Sequence, residues 1–293
     1  MIEKKMNQTE TVPPTQPKRI FGPYRADAAP AGPKRIFAPH RVVRRLGGTI
    51  GRGDFPNAVL QGTTPNFQVY VIPELGAAGL AIARGVLAAC ERDYNTIQGY
   101  FNGIAPDSLP FNVVIAQNVG GAYHYGCLAT DIYCDSQASP LDPAFTGFLL
   151  TAEAVEVFSA KQNLGWNCGG GNGEGLSRVL ATALYPAEIQ KPGLATAGIW
   201  LDGNRPNWVN RNAPTDQDAV VNGCAVLFLN YLRYQLGYSW NLIVGAAAPT
   251  LAKTYKKLTG KKTAFPPFKA LLDQHFPPGQ PSNLMTDNPF PLP

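Results

Sequence analysis

Histidine is scarce in this 293-residue chain: there are three, His40, His124 and His275. A three-histidine zinc centre within one folded body is therefore excluded, and a Ser-His-Asp triad would need His124 or His275 without any Gly-x-Ser-x-Gly elbow to present the serine. Long apolar runs are missing too. No stretch of about 18 apolar residues occurs, and MIEKKMNQTET is followed by no apolar segment, so the expectation is a chain with neither a membrane span nor a Sec-type signal peptide. The expected location is cytoplasmic, or outside the cell by a route that uses no such peptide. Cysteine is sparse and odd in number. Cys90, Cys127, Cys134, Cys168 and Cys224 show no C-x-x-C spacing, which predicts mostly reduced, buried thiols. Charged residues make up only 15% of the chain against 45% apolar, a balance that excludes a wholly disordered polymer and requires a packed core.

The formal charge of +5 is unevenly placed. Residues 1–45 hold ten Lys and Arg against three acids, a net +7, which leaves fifteen bases and seventeen acids, or −2, for the rest. A basic nucleic-acid-binding face on the folded body is thereby disfavoured.

That arm, residues 1–45, reads as disordered from its Pro, Thr, Gln, Ala and charge content. It also repeats itself. PKRIFGPYR (17–25) returns sixteen residues later as PKRIFAPHR (33–41), identical at seven of nine positions. Lys18, Arg19, Ile20 and Phe21, and then Lys34, Arg35, Ile36 and Phe37, each place two cations beside an apolar pair between prolines. Such an extended peptide suits a protein partner with an acidic and apolar groove, and two copies gain from effective concentration. The alternative is an inert, soluble spacer.

The folded body spans 46–276, with recognisable structure from about Phe67, and a Pro-rich tail occupies 277–293. Residues 67–73 and 111–116 read as strands, and 122–128 with 131–134 as two more. Apolar positions stepping by three and four predict a long helix over 77–101. Further helices are expected over 144–163, 174–184, 218–236, 240–247, 251–258 and 268–276. Strands and one long helix come first and helices follow: the class is α+β rather than a regular βα alternation.

Two stretches carry the functional argument. Cys168 to Gly175 (CGGGNGEG) lacks the Gly-Lys-Ser/Thr of a phosphate loop and any G-x-G-x-x-G register, so it reads as a flexible turn opening a helix. In 148–158, Glu153 and Glu156 stand three apart on one helix face with Val157 and Ala160 at the following turn instead of lysines. Two like charges in an apolar setting must be solvated, hydrogen-bonded, protonated, cation-bound, or paired with an arginine such as Arg178. His124, in YHYG among aromatics, reads as packed or hydrogen-bonded, with metal ligation a minor alternative. Asp216 and Asp218 read as helix caps, and Glu174 with Arg178 as an i,i+4 pair of a few tenths of a kcal/mol.

Thr151-Ala-Glu153-Ala-Val-Glu156 and, with seventeen residues between Glu156 and Glu174, Glu174-Gly-Leu176 resemble the H-E-x-x-H and E-G-[LIF] segments of zincin metallopeptidases of the gluzincin branch. The order of elements is similar over about 65–276. The resemblance implies a zincin-like fold, with a small twisted N-terminal sheet and long helices ahead of a mainly helical half. It makes Glu153 the general base and Glu156 and Glu174 metal ligands, with His124 as a remote substitute nitrogen donor. Ala152 and Glu156 stand where the family has its histidines. The implied cofactor is therefore none, or a divalent cation suited to oxygen donors, Ca²⁺, Mg²⁺ or Mn²⁺ before Zn²⁺.

The favoured expectation is a catalytically degenerate zincin-like binding or structural module docked through its arm. The alternatives are a cation-dependent hydrolase using Glu153, Glu156 and Glu174, and a cargo or effector protein targeted by the arm.

Overall fold

The computed structural model describes residues 18–19, 53–136, 140–214 and 217–293, with only the backbone of 18 and 19. Six strands form one mixed sheet in the order β1-β5-β6-β4-β3-β2: β1 (Lys18–Arg19), β2 (Val59–Thr63), β3 (Phe67–Val71), β4 (Phe111–Ala116), β5 (Ala122–His124) and β6 (Asp131–Asp135). The central strands β3, β4 and β6 are parallel, with Phe67 opposite Phe111 and Ile115 opposite Cys134. They are β-branched and aromatic runs buried on both faces, as parallel strands usually are. β5 runs antiparallel to β6.

Helix α1 (Gly76–Tyr100) links β3 to β4 and buries Ile82, Val86, Cys90, Tyr94 and Ile97; of the periodic positions Leu80 to Phe101, Leu80 is exposed and the buried face is shifted towards Ile82 and Val86. Pro73–Tyr100 is long and apolar enough to cross a membrane by length and composition, although Arg84, Glu91, Arg92 and Asp93 interrupt its apolar run. It packs on β3 and on α2 (Pro143–Gln162). Asp142 caps α2 by accepting from the Phe145 amide at 3.1 Å, Pro143 takes the first helical position, and Asn163 ends the helix at φ 51°. Apolar residues surround α2 on all sides, so it is a central helix between α1, the sheet and α3 (Gly171–Leu184).

The glycine-rich segment is not the flexible turn expected. Gly171, Gly173 and Gly175 are buried inside the first turn and a half of α3. A Cβ on Gly173 would fall on the Asn167 carbonyl, and one on Gly175 would lie 2.6 Å from Ala225 Cβ of α5 (Ala219–Asn230). The glycines let two helices and a loop approach closely. Gly173→Ala should therefore destabilise by about 3 kcal/mol or more, since overpacking here meets backbone; a urea midpoint close to that of the unaltered chain would contradict this.

The rest of the chain is helical: α4 (Ala197–Asp202), α5, α6 (Trp240–Gly245), α7 (Leu251–Thr259) and α8 (Phe265–His275). Asp218 caps α5 as predicted, accepting from Val220 and Val221 at 2.8 and 3.2 Å. α5 then loosens into a π turn at Tyr231–Gln235. Trp200, Phe228, Phe268 and Tyr231 form an aromatic centre continuous with the sheet-side core.

The tail is built into this half. Asp287, only 3% exposed, accepts from the Thr196 and Ala197 amides at 2.7 and 2.8 Å, and Phe290 packs on Tyr231. Burial raises the Asp287 carboxyl above its ordinary range, against those amides and the charge of Arg178. An acid raised in the folded state contributes stability at low pH that is lost as pH rises through its folded value. Asp287→Asn keeps the acceptor and removes the buried charge, so its stability relative to the unaltered chain should improve from pH 4 to 7 in thermal melts. Asp287→Ala should cost about 1 to 3 kcal/mol throughout, because two buried amides lose their acceptor.

Candidate functional site

Strand β5, the turn after it, helix α2 and the start of α3 converge beneath one edge of the sheet. Inward-facing His124 of β5 brings Nδ1 to 2.7 Å from Glu153 Oε2 on α2. Glu156, one turn along α2, is 1% exposed, and Glu153 is fully buried. A solvated seam is therefore excluded for the pair, and of the remaining explanations His124 supplies Glu153 with a hydrogen-bonding partner. Charge on Glu153 also reaches Cys134 of β6, whose thiol is held well above its usual range by burial first and by that carboxylate second.

Glu174 lies in the first turn of α3, where a carboxylate is favoured by the helix dipole. Arg178 Nε donates to Glu174 Oε1 at 2.5 Å and Arg178 Nη1 donates to the Leu194 carbonyl at 2.9 Å. Glu174 is fully buried and Arg178 is 1% exposed. The spacing rule that assigns such a pair a few tenths of a kcal/mol describes exposed helices; here both groups are buried, so removal of either partner leaves an uncompensated charge.

The residues do not fit a metal held in the gluzincin manner. Ala152 is buried and has no donor at the first ligand position, and Glu174 Oε1 is engaged by Arg178. A different group comes together instead. His124, Glu156 and Cys168 each bring one donor atom to within 4.8 Å of the other two, all three buried, and such a group could hold a metal ion.

No family model matches this chain, and no curated protein matches it. The site therefore stands on its own geometry.

Three of the five thiols are free and buried, in line with the expectation, and one pair departs from it. Cys127 and Cys168 form a disulfide across 41 positions, with Cα atoms 5.8 Å apart, while Cys90, Cys134 and Cys224 are free and buried.

On the other face of β5, the Tyr123 and Tyr125 hydroxyls both donate to Asp54 Oδ2, at 2.5 and 2.6 Å. Tyr123 stacks on Tyr133 at 4.9 Å, and burial pushes the Tyr133 phenol up to about 12. Exposed Asp54 thus places a carboxylate beside the sheet edge.

That edge is where the arm touches the body. β1 runs antiparallel to β5, with Lys18 opposite His124 and Arg19 opposite Tyr123. Ile20, Phe21, Lys34, Arg35, Ile36 and Phe37 lie outside the described residues. A cleft of about 700 Å³ lined by Tyr231, Tyr238, Tyr255, Lys261 and Lys262 belongs to the helical half and includes none of the site residues.

Proposed function

We propose that this chain is a catalytically degenerate, zincin-like binding module whose edge strand β5 accepts an extended peptide, with the first PKRIF copy as such a peptide held in cis. The observation that carries the reading is the backbone pairing of Lys18–Arg19 with Tyr123–His124. Strand addition draws affinity from main-chain hydrogen bonds, which an open edge otherwise leaves exposed to non-specific pairing. Asp54, bonded to the hydroxyl of Tyr123, sets an acidic group beside this edge strand, so charge favours a basic peptide there. The second copy at 33–41 offers the same backbone to a protein partner with an acidic and apolar groove.

What weighs against peptide hydrolysis is the engagement of each residue the zincin reaction would need. Ala152 gives no ligand, Glu153 is bonded to His124, and Glu174 to Arg178. A second reading, a hydrolase using Ca²⁺, Mg²⁺ or Mn²⁺ with Glu156, Glu174 and Glu153, gains from the metal-competent group around Glu156. It requires Glu174 to leave Arg178, and it expects peptide cleavage that Glu153→Gln abolishes.

The test of the main reading is hydrogen exchange in the full chain. Proline at both 18 and 19 removes two backbone donors. The β5 amides should then exchange at least about tenfold faster, with α2 amides unchanged. Unaltered exchange at 122–124 would overturn the reading.

A further inference from the structure

We propose that the Cys127–Cys168 bond gates a metal site: its reduction frees two thiolates that, with His124 and Glu156, take up one divalent ion of the zinc class. This goes beyond the peptide-binding reading and does not rest on it.

Three of the four donors are already assembled. The sulfur of Cys168 lies within 4.8 Å of donor atoms of His124 and Glu156 while covalently bound to the sulfur of Cys127. Cys127 is therefore one bond beyond the group, close enough for its freed sulfur to complete the set. One nitrogen, one carboxylate oxygen and two thiolates form a tetrahedral set that selects Zn²⁺ over the oxygen-seeking ions.

The surroundings match what such a site needs. His124 Nδ1 is engaged by Glu153, which leaves Nε2 to ligate and fixes the ring, the carboxylate–histidine–metal arrangement of ordinary zinc centres. In this arrangement Glu153 is a positioning residue. His124 and Cys127 are held on one turn by Gly126 at φ 69°, Glu156 is on the central helix and Cys168 precedes α3, so the donors come from three rigid segments.

Access favours the gate as well. Cys127 is half-buried beside exposed Leu128, whereas Cys168 is buried. A thiolate of an external dithiol attacks the Cys127 sulfur, breaking the S–S bond and expelling Cys168 as thiolate. The second thiol of the reductant then releases Cys127 and closes the reductant's own disulfide, completing a two-electron exchange. Binding of the ion displaces the protons remaining on the two thiols.

The test titrates Co²⁺ into the full chain, oxidised and after dithiol reduction followed by removal of the reductant, and reads thiolate-to-cobalt charge-transfer absorption. The reduced chain should bind one Co²⁺ with that absorption and tetrahedral d–d bands, bleached by one equivalent of Zn²⁺. The oxidised chain should show no such absorption. Cys127→Ser and Cys168→Ser should each weaken Co²⁺ binding to the reduced chain, and Glu153→Gln should weaken it by about tenfold or more. Because the comparison of the two redox states needs no variant, it decides the matter even if substitutions unfold the chain. Equal uptake in both states, no charge-transfer absorption after reduction, or an absorption that survives Cys127→Ser combined with Cys168→Ser would each overturn the proposal.

Discussion

Arg178→Ala is expected to lower unfolding free energy by about 3 to 5 kcal/mol, because it leaves a fully buried carboxylate without its guanidinium. The figure is about ten times what the same i,i+4 spacing contributes on an exposed helix, and burial is the whole difference. The effect has a second part. Arg178 also lowers the buried Asp287 carboxyl, so its loss removes compensation from the tail's anchor at the start of α4. Glu174→Met combined with Arg178→Met should recover most of the loss, since two apolar side chains of similar volume leave no charge to desolvate. Urea midpoints of the two single variants and the double variant measure the coupling directly. A cost below about 1 kcal/mol for Arg178→Ala would mean that the pair is solvated.

Reduction of Cys127–Cys168 should lower stability by about 4 kcal/mol, from the chain entropy returned to the unfolded state when a loop spanning 41 positions is opened. Cys127→Ser with Cys168→Ser should show a similar loss. The bond ties the turn after β5 to the segment that opens α3. If the reduced thiols bind zinc as proposed, Zn²⁺ at about a hundred times its dissociation constant should return roughly 2.7 kcal/mol to the reduced chain and nothing to the oxidised one. Denaturant melts of the oxidised, reduced and reduced-plus-zinc chain separate these contributions. A reduced chain as stable as the oxidised one would contradict the first part.

Much of the fold was readable because local signals agreed with tertiary ones. The three- and four-residue steps of Leu80 to Phe101 gave α1 to within a residue, and Asp142-Pro143 gave the start of α2. β2 was missed because it lies at the sheet edge, largely exposed and bulged near Leu60 and Gly62, so no alternation marks it. α4, six residues long, was missed although α6 of the same length was expected; its Ala-Gly-Ile-Trp-Leu-Asp run carries a glycine and follows no side-chain cap. α8 starts at Phe265, three residues before the expected start, because Pro266 and Pro267 fill its first positions, where a missing amide costs nothing.

The candidate site was legible in part. The unusual setting of Glu153 and Glu156 pointed to α2, and His124 was read as hydrogen-bonded among aromatics, although its partner is a carboxylate one layer below. What sequence could not provide was long-range meeting. Cys127 finds Cys168, and the glycines of 171–175 are set by the approach of Asn167 and Ala225, contacts fixed only when α2, α3 and α5 are stacked. The backbone contact of the arm with β5 joins segments more than a hundred residues apart, and no local pattern marks it.

The central claim, that β5 is a peptide-accepting edge served by the chain's own repeat, is tested most directly by removing residues 1–45 and titrating a labelled PKRIFGPYR peptide, followed by fluorescence anisotropy. The account predicts one saturable site, weakened as salt is raised and by Asp54→Asn, and competed by unlabelled PKRIFAPHR. A truncated chain that keeps its melting temperature but shows no saturable binding would contradict it.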